Sequence, residues 1–252
     1  MPERGTADRG SVDRPSERRT AARTSVVWEA LLPALDGAAD VLDIGGGTGG
    51  FAVRVAELGH RVTVVDPSPD ALAALHRRAG ELGVEVVGQQ GDVSTLVQVA
   101  GPASADVVLC HGVLEVVDDP AAALAAIRTV LRPGGTLSLL VGQRHAAVVA
   151  RAMSGHFGQA LALLEPAAPG GGEAVAPRGG RRFTEEELRE LISAAGFEVG
   201  AVHAVRVFVD LVPGSLLDLE PGATAALLEL ERAVSDRPEY RPLATQLHVL
   251  TR

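Results

Sequence analysis

Short apolar runs alternate with amphipathic segments along the first 141 residues of the chain. Five of these runs have the length of buried strands, and they cover residues 40–44, 61–66, 84–90, 106–111 and 136–141. Proline-containing starts predict helices over 67–78 and 118–131 between them, the second ending at a turn over 132–135. Because alternating strands and helices form a parallel sheet covered on both faces, we predict an α/β fold with a doubly wound, mostly parallel sheet.

Beyond residue 141 the pattern loosens, but it still indicates two late strands at 200–211 and 245–252. They bring the predicted sheet to seven strands. A capping box formed by Thr184 and Glu187 marks the start of a helix before the first late strand. A further helix is expected over 223–234, between the two strands.

The boundaries of the expected domain follow from where the pattern of apolar and polar residues begins and where it loosens. Residues 1–22 are charged and aperiodic, so we expect them to be disordered. A single domain is predicted over 23–252, opening with a helix near Arg23 that Pro33 should end or kink. Residues 142–183 are expected to form an insert after the fifth strand, helical at first and a loop later.

The most informative segment is VLDIGGGTGGF, residues 41–51, where a strand runs into a glycine-rich turn and then a helix. The spacing Gly45-x-Gly47-x-x-Gly50 satisfies the dinucleotide-binding pattern, so NAD has to be considered. The next strand ends on Asp66, about twenty residues further on, where an acid is placed to accept hydrogen bonds from a ribose. Both features predict a cofactor that carries a ribose.

An acid inside the glycine turn changes the choice of cofactor. Asp43 precedes Gly45, Gly47 and Gly49 in the pattern D-x-G-x-G-x-G. A carboxylate there would repel a pyrophosphate, whereas it would attract a cofactor with a cationic ammonium and sulfonium. NAD therefore becomes a distant alternative.

The glycine pattern and the segment LRPGGTLSLL, residues 131–140, resemble those of the class I methyltransferases that use S-adenosylmethionine. The resemblance implies a Rossmann-like fold and S-adenosylmethionine as cofactor. It implies that the ribose lies beside Asp66 and the adenine near Gly91 and Asp92. The cofactor-binding residues expected from it within these segments are Asp43, Gly45, Gly46, Gly47, Gly49, Asp66, Pro67, Gly91 and Asp92.

A narrower resemblance covers most of the chain. Four segments are similar to the bacterial tRNA 5-carboxymethoxyuridine methyltransferases: residues 106–140, 143–145, 205–211 and 227–252. The resemblance implies esterification of a carboxylate on the modified wobble uridine, with the tRNA anticodon loop as partner. It also implies cofactor contacts from Arg23 and His111. The basic patch of that family is reduced here to Arg178, Arg181 and Arg182.

A carboxylate acceptor is already ionised at neutral pH, since its reference pKa is about 4, and it needs no general base. The catalytic residues therefore stay unassigned. The acceptor does need a cation to orient it, and Arg206, inside an apolar run, is the candidate; an alternative is that Arg206 reaches solvent or Asp210. Arg144 and His145 follow the fifth strand at the edge where ligands of parallel sheets bind, so we expect them near the substrate as well.

Composition removes several other functions. All 23 basic residues are arginines, which excludes a lysine Schiff base and a phosphate-binding lysine. A single cysteine, Cys110, excludes a disulfide and a multi-cysteine metal site, and no metal is expected. The net charge of −9 argues against indiscriminate nucleic-acid binding. With no apolar run long enough for a bilayer, we expect a cytoplasmic protein.

Two rival functions use the same predicted fold. The first is a methyltransferase that acts on the oxygen, nitrogen or carbon of a small molecule. The second is a non-catalytic sensor that binds S-adenosylmethionine without transferring its methyl group. Neither rival is excluded by the residues named above.

Overall fold

The computed structural model describes residues 15–164, 180–219 and 222–252. The helices in these ranges are α1 Pro15–Leu35, α2 Ala52–Glu57, α3 Pro69–Leu82, α4 Leu96–Ala100, α5 Pro120–Val130, α6 Arg144–Met153, α7 Phe157–Ala162, α8 Glu185–Ala194, α9 Gly214–Leu219 and α10 Ala223–Ser235. The strands are β1 Asp40–Ile44, β2 Arg61–Asp66, β3 Val86–Gln90, β4 Ala105–His111, β5 Leu131–Gly142, β6 Val199–Val205 and β7 Gln246–Thr251. A 3-10 helix, Pro238–Leu243, leads into β7.

All seven strands belong to one sheet in the order β3-β2-β1-β4-β5-β7-β6. β7 runs antiparallel to both β5 and β6, whereas the other neighbours are parallel. The predicted α/β class, with a doubly wound and mostly parallel sheet, is therefore confirmed. The strand order reverses between β1 and β4, and ligands of such sheets bind beyond the carboxyl ends of the strands at this point.

Alternate residues of the central strands pack on opposite faces of the sheet. In β1, Val41 belongs to the apolar cluster that α3 covers, while Leu42 and Ile44 belong to the cluster that α5 and α8 cover. Burying each such side chain stabilises the fold by about 1.5–3 kcal/mol. Asp43 falls between them on the first face, so the strand carries a carboxyl group into an otherwise apolar layer.

The capping box predicted at the start of α8 is confirmed, with Thr184 and Glu187 each accepting a hydrogen bond from the other's backbone N–H. The start of α1 differs from the expectation, because the helix begins at Pro15 rather than near Arg23. Proline is favoured in the first turn of a helix, where its missing N–H leaves no hydrogen bond unmade. The helix also continues past Pro33 to Leu35, whose buried side chain holds the last turn against the core.

The first late strand is shorter than predicted. β6 ends at Val205, and Arg206 leaves it with a φ of +61° instead of continuing the strand to residue 211. The prediction rests on an apolar run, VRVFVDL, which gives no sign that a buried carboxylate elsewhere in the chain binds its backbone. Glu231 of α10 accepts the N–H groups of Val207, Phe208 and Val209, and these bonds replace the strand pairing.

Candidate functional site

The glycine turn after β1 is held against two buried acids. A Cβ on Gly46 would lie 2.5 Å from Oδ2 of Asp43, so no larger residue fits there without moving that carboxyl group. Gly47 has a φ of +55°, which favours glycine, and its N–H donates to Oδ2 of Asp66 at 2.9 Å. The backbone of the turn therefore lies close to both acids with no side chain in between. Loops that bind a ligand closely need such an arrangement.

Asp43 is only 3% exposed. Burial, and secondly the negative charge of Asp66, raise the pKa of Asp43 to about 7. Such a group gains most from a cation placed beside it, because the cation offsets both effects. This fits the ammonium and sulfonium of the predicted cofactor and does not fit a diphosphate.

Asp66 joins the end of β2 to the glycine turn. Besides the bond from Gly47, its Oδ1 accepts the N–H of Ser68 at 2.9 Å. Each carboxylate oxygen can accept a second hydrogen bond, so Asp66 keeps capacity for the hydroxyls of a ribose. The position at the carboxyl end of β2 is the one that the sequence predicts for this contact.

A cleft of about 780 Å³ opens beyond the carboxyl ends of β1, β2 and β4. Its walls are mostly apolar, with Val93, Val113 and Val117 among them. Five of the predicted cofactor residues line it directly, namely Gly45, Asp66, Pro67, Asp92 and His111. Asp43, Gly46, Gly47, Gly49 and Gly91 are not part of this lining. Their contact with the cofactor stays a prediction. Arg23 lies in α1, and its side chain falls outside the described part of the structure.

Asp92 shapes one edge of the cleft. Its Oδ1 accepts the Ser94 hydroxyl at 2.6 Å and the backbone N–H groups of Ser94 and Thr95. The Ser94 hydroxyl is the main reason that the pKa of Asp92 is lowered. This turn leads the chain from β3 into α4 and places the buried Val93 against the cleft.

His111 closes the end of β4 and begins a line of buried polar side chains. Its Nε2 lies 2.9 Å from the Ser138 hydroxyl, which lies 2.8 Å from Nε2 of His248. The line continues from His248 to His203 and on to Asp236 at 3.4 Å. Burial lowers the pKa of His111 to about 4, so the ring is neutral near pH 7. Sequence reasoning placed His203 and His248 in the sheet but had no means of joining them to His111.

Nδ1 of His111 is buried and has no hydrogen-bond partner among the described residues. A neutral imidazole with its other nitrogen engaged needs a partner for this atom, and a ligand in the adjoining cleft is one way to supply it. His111 therefore fits the predicted contact with the cofactor.

A second cavity has a volume of about 810 Å³. Glu115 lines the second cavity and its neighbour Val116 lines the cofactor cleft, so this segment borders both spaces. The polar side chains around the second cavity are Glu115, Arg151, Gln159, Arg182, Arg206, Thr245 and Gln246. We call this space the acceptor cavity.

Cations dominate the polar wall of the acceptor cavity. Arg206 pairs with Asp210 and donates through Nη1 to Gln246 at 3.3 Å, while its buried Nε has no partner among the described residues. The contact with Asp210 is the alternative considered for Arg206, and the structure shows it together with the position on the cavity wall. Glu115 accepts the N–H of Gly142 at 2.8 Å, and burial raises its pKa.

Arg144 and His145 are held by their own surroundings. Arg144 forms an ion pair with Glu187 at 2.8 Å and donates to the Arg182 carbonyl. His145 is exposed and accepts a hydrogen bond from the Gln143 amide. Neither side chain is part of the lining of the acceptor cavity. Their contact with a substrate stays a prediction.

The described residues contain neither a metal-binding cluster nor a membrane-spanning helix. No group of three or more histidine, cysteine, aspartate or glutamate side chains in these ranges is arranged to hold a metal ion. None of the described helices has the length and apolar character needed to cross a membrane. Arg178 of the predicted basic cluster lies outside the described residues, while Arg181 and Arg182 lie within them.

Comparison with known proteins agrees with this geometry. A family model described as a methyltransferase domain matches residues 42–139, from β1 into β5. The tRNA 5-carboxymethoxyuridine methyltransferase of Escherichia coli K12 is 30% identical over 217 residues, which is 84% of this chain and 79% of the relative. A ubiquinone biosynthesis O-methyltransferase of Xanthomonas campestris is 38% identical over 128 residues, which is 51% of this chain and 53% of the relative.

Among solved structures, an S-adenosylmethionine-dependent methyltransferase from Mesorhizobium loti has the same fold. The TM-score is 0.61 with 19% sequence identity, over 93% of this chain and 99% of that one. The shared fold therefore extends through the late strands and is not confined to the segment that the family model matches.

Proposed function

Since this chain belongs to the class I S-adenosylmethionine-dependent methyltransferases, we propose that it esterifies the carboxylate of 5-carboxymethoxyuridine at the tRNA wobble position. The observation that carries the proposal is the acceptor cavity, where Arg182 and Arg206 line a space that the segment Glu115–Val116 borders together with the cofactor cleft. Two guanidinium groups beside the site of methyl transfer suit an anionic acceptor.

The cofactor, S-adenosylmethionine, supplies a methyl group that its sulfonium has already activated. The chain has to hold and align the reactants, and alignment alone contributes on the order of 7–11 kcal/mol. Asp43 would hold the cationic end, Asp66 the ribose, and the apolar walls of the cleft would exclude water. No side chain has to remove a proton, because the acceptor is already a carboxylate.

Arg206 would orient the acceptor. A guanidinium can contact both oxygens of a carboxylate in one plane, which fixes the direction of the attacking lone pair. The Arg206 side chain is partly exposed on the cavity wall, where an acceptor carboxylate would share the guanidinium with Asp210 and Gln246.

The choice of tRNA rests on the relative that spans most of both chains. That match covers 84% of this chain, so it extends well beyond the segment that the family model covers. Arg182 lines the acceptor cavity and would meet a phosphate of an anticodon loop there.

A small-molecule acceptor is the second candidate, and two observations favour it. The chain carries a net charge of −9, which opposes the approach of a polyanion. The acceptor cavity also falls within the range of about 300–1,000 Å³ that is usual for small ligands.

Nucleoside mass spectrometry of tRNA from a deletion strain tests the proposal. We expect the methyl ester of 5-carboxymethoxyuridine to disappear and the free acid to accumulate, and the purified protein should restore the ester with S-adenosylmethionine. An unchanged ester level in the deletion strain would exclude this substrate and favour the small-molecule acceptor. Binding of S-adenosylhomocysteine without turnover of any acceptor would instead favour the sensor.

A further inference from the structure

The turn that presents Arg206 to the acceptor cavity is strained. Arg206 has a φ of +61°, and within the described ranges only Ala103 shares a positive φ among residues other than glycine. A side chain in this left-handed region costs about 1–2 kcal/mol. Glycine would form the same turn without that cost, so the arginine at this position needs a reason.

A buried carboxylate holds the turn in place. Oε1 of Glu231 accepts the N–H groups of Phe208 at 2.8 Å and Val209 at 2.7 Å, and Oε2 accepts that of Val207 at 3.0 Å. Glu231 is 1% exposed, so these three bonds take the place of water around the charge. Three successive backbone N–H groups aimed at one carboxylate fix the path of the chain directly after Arg206.

The other side of the turn is fixed as well. Before Arg206, Val205 of β6 pairs with Gln246 of β7, and the Arg206 carbonyl accepts the N–H of Thr245 at 3.2 Å. The backbone on both sides of Arg206 is therefore anchored, while its guanidinium lies on the cavity wall and remains 24% exposed. The part of this residue that is left to adjust is the side chain that faces the acceptor.

We propose that Glu231 is a positioning residue for the acceptor, which acts by holding the backbone of 207–209 so that Arg206 faces the acceptor cavity. Glu231 itself touches neither cavity. The inference rests on the proposed function, because it takes Arg206 to bind the acceptor carboxylate. It adds that a residue of α10, a helix on the outside of the sheet, helps to determine which acceptor this cavity binds.

The test compares two glutamine substitutions on the same helix. Glu231→Gln places an amide N–H against backbone N–H groups, whereas Glu229→Gln makes the same chemical change at an exposed position. With tRNA carrying 5-carboxymethoxyuridine as acceptor, we expect Glu231→Gln to raise KM about tenfold. Its kcat and its affinity for S-adenosylhomocysteine should stay within twofold, and Glu229→Gln should change none of these values.

A double-mutant cycle separates positioning from a general loss of structure. Arg206→Gly removes the guanidinium and keeps a residue that adopts a positive φ freely. If Glu231 acts through Arg206, adding Glu231→Gln to Arg206→Gly should raise KM no further. A second tenfold increase in the double variant would overturn the proposal. Should Glu231→Gln fail to fold, Glu231→Asp serves instead, because it keeps the charge and cannot reach all three N–H groups.

A spectroscopic measurement distinguishes failure of this inference from failure of the proposed function. The NMR signal of the Arg206 Nε–H should move in Glu231→Gln and not in Glu229→Gln. An unmoved signal means that Glu231 does not position Arg206. A moved signal together with an unchanged KM in Arg206→Gly means that the positioning is correct but the guanidinium does not bind the acceptor carboxylate.

Discussion

The cofactor cleft and the acceptor cavity lie side by side, yet they are built in different ways. The cleft takes most of its polar groups from strand ends and from one glycine turn, all within residues 43–111. The acceptor cavity assembles side chains from β5, α6, α7, β7 and the turn after β6, which are far apart in sequence. A local motif can therefore reveal the first space, whereas only the folded chain brings the second together.

The two spaces also differ in charge. At the cofactor cleft, the acids Asp43 and Asp66 lie beneath the glycine turn, whereas arginines line the acceptor cavity. A cationic methyl donor and an anionic acceptor would thus be held on opposite sides of the segment at Glu115 and Val116. If this division is correct, a substitution on one side should alter one ligand and leave the other nearly unaffected.

The largest expected effect comes from Asp43→Asn. Removing the charge opposite a cationic ligand should weaken the affinity for S-adenosylmethionine roughly 100-fold, as loss of a buried charged hydrogen bond costs about 1.5–3 kcal/mol. Isothermal titration calorimetry measures this, with Asp36→Asn, at an exposed position, as the matched control. Affinity within threefold of the parent protein would show that Asp43 does not hold the cationic cofactor.

The same variant has a second consequence, for stability. The pKa of Asp43 is raised to about 7 in the folded protein, so the native state binds a proton that the unfolded state releases between about pH 4 and 7. Stability therefore falls as pH rises through this window. The asparagine amide in Asp43→Asn cannot titrate, so the ligand-free variant should lose less stability than the parent between about pH 5 and pH 8 in urea unfolding. Parallel pH profiles would contradict the raised pKa.

Gly46→Ala should produce the next largest effect. Its Cβ would lie 2.5 Å from the Asp43 carboxyl group and has to displace it, so we expect cofactor affinity to fall about tenfold, for about 1.4 kcal/mol. Gly50→Ala is the control, because its Cβ meets nothing within 4 Å. Both variants should keep the KM for acceptor near the parent value when cofactor is saturating. Equal losses in the two alanine variants would mean that the close approach at Gly46 is unimportant.

These two variants test what the sequence predicts best. The strands up to β4, the glycine turn and Asp66 follow from local patterns, since each is made by neighbours in the chain and the structure places them close to the expected positions. β5 differs, because it begins at Leu131 and includes the predicted turn over 132–135. Glu231 shows where that reasoning ends. Nothing in ELERAVS indicates that its carboxylate binds the backbone of residues 207–209, which is why the sequence pattern predicts that β6 continues past Arg206.

Arg182→Ala tests the acceptor cavity. Arg182 lines the acceptor cavity but is not the proposed orienting group, so removing it should raise the KM for tRNA about three- to fivefold, for about 0.6–1 kcal/mol. Cofactor affinity should not change. Arg77→Ala, on the exposed face of α3, controls for loss of one positive charge. A loss of cofactor affinity in Arg182→Ala would break the division between the two spaces.

The smallest functional effect is expected from Ser138→Ala, and it tests whether the two regions are independent at all. Ser138 joins His111, on the cofactor cleft, to His248 of β7, whose strand neighbour Gln246 lines the acceptor cavity. Loss of the hydroxyl leaves two buried imidazole nitrogens without a partner, which should lower the free energy of unfolding by about 1–3 kcal/mol. Because His111 would keep its place between Phe51 and the strand, cofactor affinity should fall only about twofold to threefold, or about 0.4–0.7 kcal/mol.

A Ser104→Ala control removes a hydroxyl with a single long contact and should change neither the free energy of unfolding nor the cofactor affinity. If Ser138→Ala instead raised the acceptor KM as much as it weakened cofactor binding, the line of histidines would couple the two spaces, and they would have to be treated as one site.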